Sequence, residues 1–308
     1  MSAKKEFIPA YGKLSSKELE HKTGEAQKRL ASCNLCPWEC RVDRPSGERG
    51  RCRSPAEAVV ASYSPHFGEE PELVGMRGSG TIFFAHCNLE CIFCQNWDIS
   101  QEGAGRAVSP EALADIMLQL QKRGCHNINL VTPTPHVAVI LEALGSAVEK
   151  GLHLPLVYNC GGYESPETLR LLEGVVDIYM PDFKYWEEET ARDCSGPPDY
   201  PRRAREALKE MQRQVGDLQT DERGIAYRGL LVRHLVLPQD LGGTSEVIRF
   251  LAEEISPRCA SNIMRQYYPA YRVGDYSSTY PALSRPLQRQ EYEEARKAAA
   301  AAGLRLLK

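Results

Sequence analysis

Along most of the chain, short apolar runs alternate with segments in which apolar residues recur every three or four positions. The runs have the length of buried strands, and residues that favour turns bound each of them. They predict strands at Thr81–Ala85, Ile128–Val131, Leu154–Tyr158, Val175–Met180, Leu230–Leu237 and Asn262–Tyr267.

The periodic segments predict a helix after each strand. In the first of them, Ser109 suits the N-cap, Pro110 suits the first helical position and Gly124 ends the segment. Ser165-Pro166 opens another helix in the same way. Further helices are predicted at Val137–Lys150, Arg202–Val215, Ser245–Ile255 and Gln290–Ala302.

The regular alternation of strand and helix predicts an α/β fold with a parallel sheet, because parallel neighbours need a helical crossover. Six strand–helix units suit an open doubly wound sheet or a partial barrel, whereas a closed barrel of eight units needs more chain. In either architecture ligands bind at the carboxyl ends of the strands. We therefore expect the functional residues there.

Composition narrows the class of protein. The 308 residues, 42% of them hydrophobic, are enough for one large core and a small module. No apolar stretch is long enough to span a membrane, and the polar start Met1–Leu14 lacks an apolar signal region, so we expect a cytoplasmic protein. The net charge of −3, from 38 basic and 41 acidic residues, indicates no polyanionic partner.

Eleven cysteines, an odd and unevenly clustered set, argue against a disulfide framework and for metal binding. Cys87, Cys91 and Cys94, called the triplet below, follow the first predicted strand with the spacing C-x3-C-x2-C. Three thiolates can hold three irons of a cubane cluster and leave the fourth iron open to a small molecule. Zinc sites and ferredoxin clusters usually take four protein ligands. A zinc site completed by His86 or by a distant cysteine is the alternative.

The triplet, with Phe93 before its last cysteine and Gln95-Asn96-Trp97 after it, resembles the signature of the radical S-adenosylmethionine (SAM) superfamily. It looks like the branch related to pyruvate formate-lyase activating enzyme, often labelled PflX-like. The resemblance implies a partial (β/α)6 barrel similar to a TIM barrel, which we place at residues 76–308, behind an extension and a Cys-rich module at residues 1–75. It also implies a 4Fe-4S cluster on the triplet, bound SAM, and a reductant such as flavodoxin or ferredoxin.

The same resemblance implies SAM contacts at the strand ends. Asp182 and Lys184 look like the family's Asp-x-Lys near the SAM carboxylate, and a surface ion pair of little energetic value is the alternative. Thr132 stands where the family has a Gly-Gly-Glu run, and a plain turn shaped by proline is the alternative there. The predicted cofactor-binding residues are Phe93, Asn96, Thr132, Asn159, Asp182, Lys184, Arg233 and Gln266.

Four earlier cysteines, Cys33, Cys36, Cys40 and Cys52, have the spacing C-x2-C-x3-C-x11-C. Four thiolates can close a structural zinc site or hold a second Fe-S cluster, and the residues leave both open. Scattered cysteines are expected to be buried neutral thiols, although Cys160 adjoins the predicted SAM pocket. The scattered set is Cys125, Cys160, Cys194 and Cys259.

The function implied by the resemblance is cleavage of SAM to a 5′-deoxyadenosyl radical, which then abstracts a hydrogen atom. The substrate is a protein glycine in the activating enzymes, and a peptide, an RNA or a small metabolite is the alternative. A rival of another class is a zinc-binding nucleic-acid-binding protein, which needs a basic face interleaved with aromatics. The basic stretch Arg202–Arg213 indicates only a solvated helix face. A simple electron carrier would not need six strand–helix units.

Overall fold

The computed structural model describes residues 7–307, so Lys308 and residues 1–6, the start of the predicted extension and Cys-rich module at residues 1–75, lie outside the described residues. This part of the chain forms ten strands and ten α-helices. The strands are β1 (Ala58–His66), β2 (Ser79–Phe84), β3 (Arg106–Val108), β4 (Ile128–Val131), β5 (Leu156–Cys160), β6 (Ile178–Pro181), β7 (Gln219–Thr220), β8 (Ala226–Leu235), β9 (Ala260–Met264) and β10 (Arg305–Leu306). The helices are α1 (Ser16–Lys28), α2 (Pro71–Val74), α3 (Trp97–Ser100), α4 (Pro110–Lys122), α5 (Val137–Glu149), α6 (Pro166–Leu171), α7 (Glu188–Ser195), α8 (Tyr200–Val215), α9 (Thr244–Phe250) and α10 (Arg289–Ala301). None of these helices is both long and apolar enough to cross a membrane.

One sheet organises the fold. Its strands lie in the order β10-β9-β8-β6-β5-β4-β2-β1-β3, and β7 pairs with β8 outside this path. The strands from β2 to β10 along this path pair in parallel, while β1 and β3 form an antiparallel edge. The path has two free ends, so the barrel is open. The predicted α/β fold with a partial parallel barrel is confirmed.

The capping signals fold as the sequence predicts. Ser109 Oγ accepts a hydrogen bond from the amide of Ala112 (3.2 Å), and α4 begins at Pro110. Ser165 caps α6 in the same way. The helix predicted at Ser245–Ile255 is different, because its last five residues form a π-helical turn after α9 ends.

The strand boundaries shift by a few residues from the predicted ones. The strand predicted from Leu154 begins at Leu156 because Pro155 has no amide hydrogen to donate to the ladder. The strand predicted from Val175 begins at Ile178, because the amide of Val175 bonds to Leu172 in a turn. Apolar runs mark burial, and a buried turn is as apolar as a strand.

Alternate strand residues face opposite sides of the sheet, and each side has its own apolar core. The outer face packs under the helices through residues such as Leu130, Tyr158 and Leu230. The inner face forms a smaller core that surrounds Leu73 of α2. Its strand residues are Val157, Ile178, Met180, Leu231 and Ala260. A single short helix, instead of a full layer of helices, therefore covers the inner face.

Helix α2 fills the amino-terminal end of the inner face. Asn127 Nδ2 donates to the carbonyl of Leu73 (2.9 Å), and Ser79 Oγ donates to Asn127 Oδ1 (2.6 Å). Toward the carboxyl ends of the strands the inner face carries polar side chains, among them Asn159, Asp182 and Arg233. We call the region around these side chains the strand-end cleft. Both β1 and α2 precede residue 76 and pack on the sheet, and the division of the chain at that residue stays a prediction.

Candidate active site

The loop after β2 brings the triplet to the carboxyl ends of the strands. The amides of Glu90 and Ile92 donate to the carbonyls of Ser195 and Cys194 (both 2.9 Å), so the end of α7 holds the loop in place. Cys87 interacts electrostatically with the other two thiols of the triplet. The three sulfurs therefore face a common region.

Each sulfur of the triplet lies within hydrogen-bond distance of one donor. The pairs are Leu89 N to Cys87 Sγ (3.4 Å), Ser195 Oγ to Cys91 Sγ (2.9 Å), and Ser100 Oγ with Cys94 Sγ (3.1 Å). Such donors favour a charged sulfur and tune a bound metal centre. All three cysteines are free of disulfides, so this donor set fits the ligands of an Fe-S cluster.

Burial raises the pKa of Cys87, and the neighbouring thiols of the triplet raise it further. Burial also raises the pKa of Cys91, and the positive charge of Lys184 opposes this shift. A metal cluster that binds the triplet must therefore displace protons from buried thiols. Across residues 7–307, no three His, Cys, Asp or Glu side chains are grouped to hold a single metal ion.

The ends of β5, β6 and β8 join four predicted SAM contacts in one network. Asp182 accepts from Lys184 Nζ (2.5 Å) and from Arg233 Nε (2.9 Å). Arg233 Nη2 also donates to Asn159 Oδ1 (2.9 Å). Burial opposes ionisation of Asp182, but Arg233 and Lys184 outweigh it and lower its pKa to about 2. The side chains of Asp182 and Lys184 are only 15% and 17% exposed, so the alternative of a surface ion pair is wrong.

Thr132 adjoins this network at the end of β4. Its amide donates to the carbonyl of Asn159 (2.9 Å), and its φ is +60°. A positive φ is a genuine outlier for a β-branched residue. Such outliers cluster at functional sites, where the surrounding structure holds them.

The other predicted cofactor contacts lie apart from the network. Phe93 is buried and packs edge to face with Tyr267 (5.6 Å between ring centroids), so it anchors the triplet loop in the core. Asn96 and Gln266 are exposed. The carbonyl of Gln266 accepts a hydrogen bond from Gln95 (2.9 Å), which ties the segment after the triplet to the segment after β9.

Two carboxylates of the strand-end cleft, Glu69 and Glu70, were not predicted from the sequence. Glu69 Oε2 accepts from Arg233 Nη1 (3.2 Å), and Glu70 Oε1 accepts from Asn262 Nδ2 (2.9 Å). Both precede α2 in an irregular segment without strand periodicity. No local pattern marks them, because only the course of α2 through the inner face brings them to Arg233.

The four amino-terminal cysteines are linked by electrostatic interactions, although no three of them are grouped tightly enough to hold one metal ion within residues 7–307. Residues 33–56, the Cys-rich module, contain turns but no helix or strand. Cys52 interacts electrostatically with Cys33 and Cys40, and Cys36 interacts with Cys52. Backbone amides donate to three of the sulfurs. They are Trp38 to Cys36, Ser54 to Cys52, and Arg51 to Cys40 (3.3 Å).

The Cys-rich module packs directly on the triplet loop. Trp38 Nε1 donates to the carbonyl of Asn88 (2.7 Å), and Arg51 lies 4.9 Å above the Trp38 ring. Arg51 also pairs with Glu90 (2.8 Å). The imidazole of His86 hydrogen-bonds with the backbone of Cys52. Neighbours of one cysteine set thus touch neighbours of the other.

Cys160 points away from the cleft. Since Asn159 faces the inner side of β5, Cys160 faces the outer side, where its thiol hydrogen-bonds with Glu164. Thr134 Oγ1 (2.7 Å) and Tyr158 OH (3.1 Å) also donate to Glu164. Burial raises the pKa of this carboxyl to about 7, although these hydrogen bonds lower it. Cys160 is therefore part of a buried polar cluster behind β5.

Comparison with known proteins agrees with this geometry. A profile of the Radical SAM superfamily matches residues 81–218, which include the triplet. An uncharacterized protein of Methanocaldococcus jannaschii is 32% identical over 287 residues, covering 90% of this chain and 77% of that protein. A second uncharacterized protein of the same organism is 25% identical over 169 residues, 49% of each chain. The superfamily implies an enzyme with a 4Fe-4S cluster, SAM and a source of electrons, and residues 81–218 of this chain are a radical SAM superfamily domain.

Proposed function

We propose that Cys87, Cys91 and Cys94 hold the 4Fe-4S cluster and that the enzyme cleaves SAM reductively to abstract a hydrogen atom from a carbon of its substrate. One observation carries the proposal. Lys184 is the electrostatic neighbour of Cys91 and the ion-pair partner of Asp182. A group held by the sulfurs would therefore lie beside side chains that can bind a zwitterionic amino acid.

When bound, the cluster supplies the electron that cleaves the sulfonium of SAM. The protein supports it with the hydrogen bonds to the sulfurs. Ser195 Oγ is itself held by Tyr185 OH (2.7 Å), so its donor is fixed toward Cys91. Leu89, Cys91, Ile92 and Phe93 are buried, so this side of the loop is shielded from water.

The charged strand ends would orient SAM. Asp182 fixes Lys184 and Arg233 through two hydrogen bonds, and these two cations can neutralise a carboxylate. Asn159 and Thr132 line the same edge of the sheet and offer polar atoms to the rest of SAM. Phe93 would act indirectly, by supporting the triplet loop, while Asn96 and Gln266 would contribute from the rim.

Hydrogen abstraction from a glycine of a partner protein is the form of the reaction that the triplet's resemblance favours. This choice of substrate rests on family analogy alone. A flavodoxin or a ferredoxin would serve as the reductant. Incubation with SAM, a reductant and a candidate partner protein should then give a glycyl radical detectable by electron paramagnetic resonance (EPR).

We also propose that Cys33, Cys36, Cys40 and Cys52 hold a second metal centre. Their amide donors support this, because amide–sulfur hydrogen bonds stabilise metal-bound thiolates. Metal analysis of the anaerobically purified protein decides between zinc and a second Fe-S cluster. A chain in which all four are replaced by alanine should lose that metal, whereas Cys259→Ala should retain it.

The main proposal is tested by SAM cleavage. The protein is purified and reconstituted without oxygen, reduced, and incubated with SAM, and 5′-deoxyadenosine is measured. Cys87→Ala, Cys91→Ala and Cys94→Ala should each abolish the product and the EPR signal of the reduced cluster. Cys259→Ala, which removes a buried thiol far from the triplet loop in sequence, is the matched control. Zinc in place of iron, with no 5′-deoxyadenosine, would rule the proposal out.

A further inference from the structure

The strand-end cleft contains two carboxyls, those of Glu69 and Glu70, that the chemistry proposed above does not use. We call this part of the cleft the acidic floor. Glu70 lies one helical turn before Leu73, and the amide of Leu73 donates a hydrogen bond to the carbonyl of Glu70 (2.8 Å). Glu69 and Glu70 face β8 and β9, where Arg233 and Asn262 are direct neighbours across the ladder. The two carboxyls are close enough to hydrogen-bond each other when one is protonated.

This floor has polar atoms without partners. Glu70 is only 4% exposed, and its Oε2 has no hydrogen-bond partner within residues 7–307. Asn129 is fully buried, and neither atom of its amide has a partner in that same range. A buried polar group without a partner costs about 1–3 kcal/mol, so these atoms indicate a missing ligand.

Asn129 and Glu70 lie at the same end of the inner face. Asn127 holds the carbonyl of Leu73, and Asn129 lies two residues further along β4 on the same side, roughly 7 Å toward the carboxyl end. In register, Asn129 lies between Thr81 and Val157, and Val157 packs in the inner core with Leu73. Its amide therefore faces the region above Leu73, into which Glu70 projects.

The charges of this region do not balance. Glu69, Glu70 and Asp182 supply three carboxyls, while Lys184 and Arg233 supply two cations. Asp182 has both cations as hydrogen-bond partners, whereas Glu69 has Arg233 only. Burial raises the pKa of Glu69, and the charge of Arg233 only partly offsets this. One of these carboxyls therefore lacks a cation of its own, which a positively charged ligand can supply.

We propose that Glu69 and Glu70, with Asn129, bind an alkylammonium group of the substrate in the strand-end cleft. An alkylammonium carries three donors and no acceptor, which suits the open oxygens of two carboxyls and one amide. The positive charge of the ligand then balances the third carboxyl of this region. A lysine side chain and a free small amine offer the same chemistry, and the test separates them.

This inference rests on the proposed function, because it assigns a substrate to the cleft in which SAM would be cleaved. The reconstituted enzyme with SAM is titrated calorimetrically with acetyl-glycyl-lysyl-glycinamide, with its norleucine analogue, and with n-butylammonium. We expect the lysine peptide to bind roughly tenfold more tightly than the norleucine peptide. Tighter binding of n-butylammonium than of the peptide would identify a small amine as the substrate class.

Glu70→Gln should remove the preference for lysine, while the exposed Glu102→Gln should leave it unchanged. Basal formation of 5′-deoxyadenosine separates the two proposals. If SAM is cleaved but no amine binds at millimolar concentration, or the norleucine peptide binds equally well, the ammonium site is wrong and the proposed function stands. If Glu70→Gln weakens the binding of SAM itself, the glutamates belong to the SAM site and the inference is also overturned. If SAM is not cleaved, the proposed function itself fails.

Discussion

Trp38 Nε1 donates a 2.7 Å hydrogen bond to the carbonyl of Asn88, which joins the Cys-rich module to the triplet loop. The two residues lie 50 positions apart, and each lies beside a different set of cysteines. Arg51 strengthens the junction, because it stacks on the Trp38 ring and pairs with Glu90 of the same loop. The conformation of the triplet thus depends on the module.

Trp38→Phe tests this junction. The change keeps an aromatic ring but leaves the carbonyl of Asn88 without its donor, so the free energy of unfolding should fall by about 1–2 kcal/mol. The EPR signal of the reduced triplet cluster should broaden or weaken, since its loop loses a fixed contact. Trp186→Phe, which alters a ring stacked against Arg205 and not bonded to the triplet loop, is the control and should leave the signal intact. An unchanged signal in Trp38→Phe would mean that the module is only a neighbour.

Asp182→Asn should weaken both the fold and SAM binding. It leaves Lys184 and Arg233 without their shared carboxylate, and removal of one partner from a buried ion network costs roughly 3 kcal/mol. SAM affinity, measured by equilibrium dialysis, should fall more than tenfold because the two cations lose their orientation. Asp275→Asn breaks the exposed pair with Arg272 and should cost less than about 0.5 kcal/mol. Equal effects of the two variants would contradict a role for the network.

Thr132→Gly should raise stability and lower SAM affinity. Glycine adopts the observed φ of +60° without the penalty that a β-branched residue has there, so the gain is roughly 1 kcal/mol. The freed backbone then holds the end of β4 less firmly against Asn159. Gln239→Gly, at a φ of +55° in the turn after β8, is the control. It should stabilise the chain and leave SAM binding unchanged, and a parallel loss of affinity there would refute the role of Thr132.

Glu164 predicts a pH dependence of stability. Its pKa rises from 4.5 to about 7 on folding, so the folded chain binds the proton more tightly than the unfolded chain. Its contribution to stability is complete below about pH 4.5 and is lost as the pH rises through about 7, a change of roughly 3 kcal/mol. Glu164→Gln cannot titrate. Denaturant unfolding of the metal-free chain should therefore show that the free energy of unfolding of the wild type falls relative to that of the variant as the pH rises across this range. Parallel curves of unfolding free energy against pH would exclude the shift.

The sequence by itself determined the class of fold and the positions of the proposed metal ligands. Alternating apolar runs and capped helices are short-range signals, and Ser109-Pro110 starts its helix as predicted. The spacing of Cys87, Cys91 and Cys94 is equally local, because one loop carries all three residues. The family resemblance singled out Asp182, and the rule that parallel strands present their carboxyl ends together placed it at the edge where ligands bind.

Only the tertiary structure decided which of these residues meet. Arg233 reaches Asp182 across 51 positions and Glu69 across 164, and both contacts depend on the order of strands in the sheet and on the path of α2. Cys160 lies on the outer face of β5. It therefore points away from the cleft and meets Glu164. Such contacts have no local signature, since pattern and spacing describe neighbours along the chain, whereas the packing of the sheet sets neighbours in space.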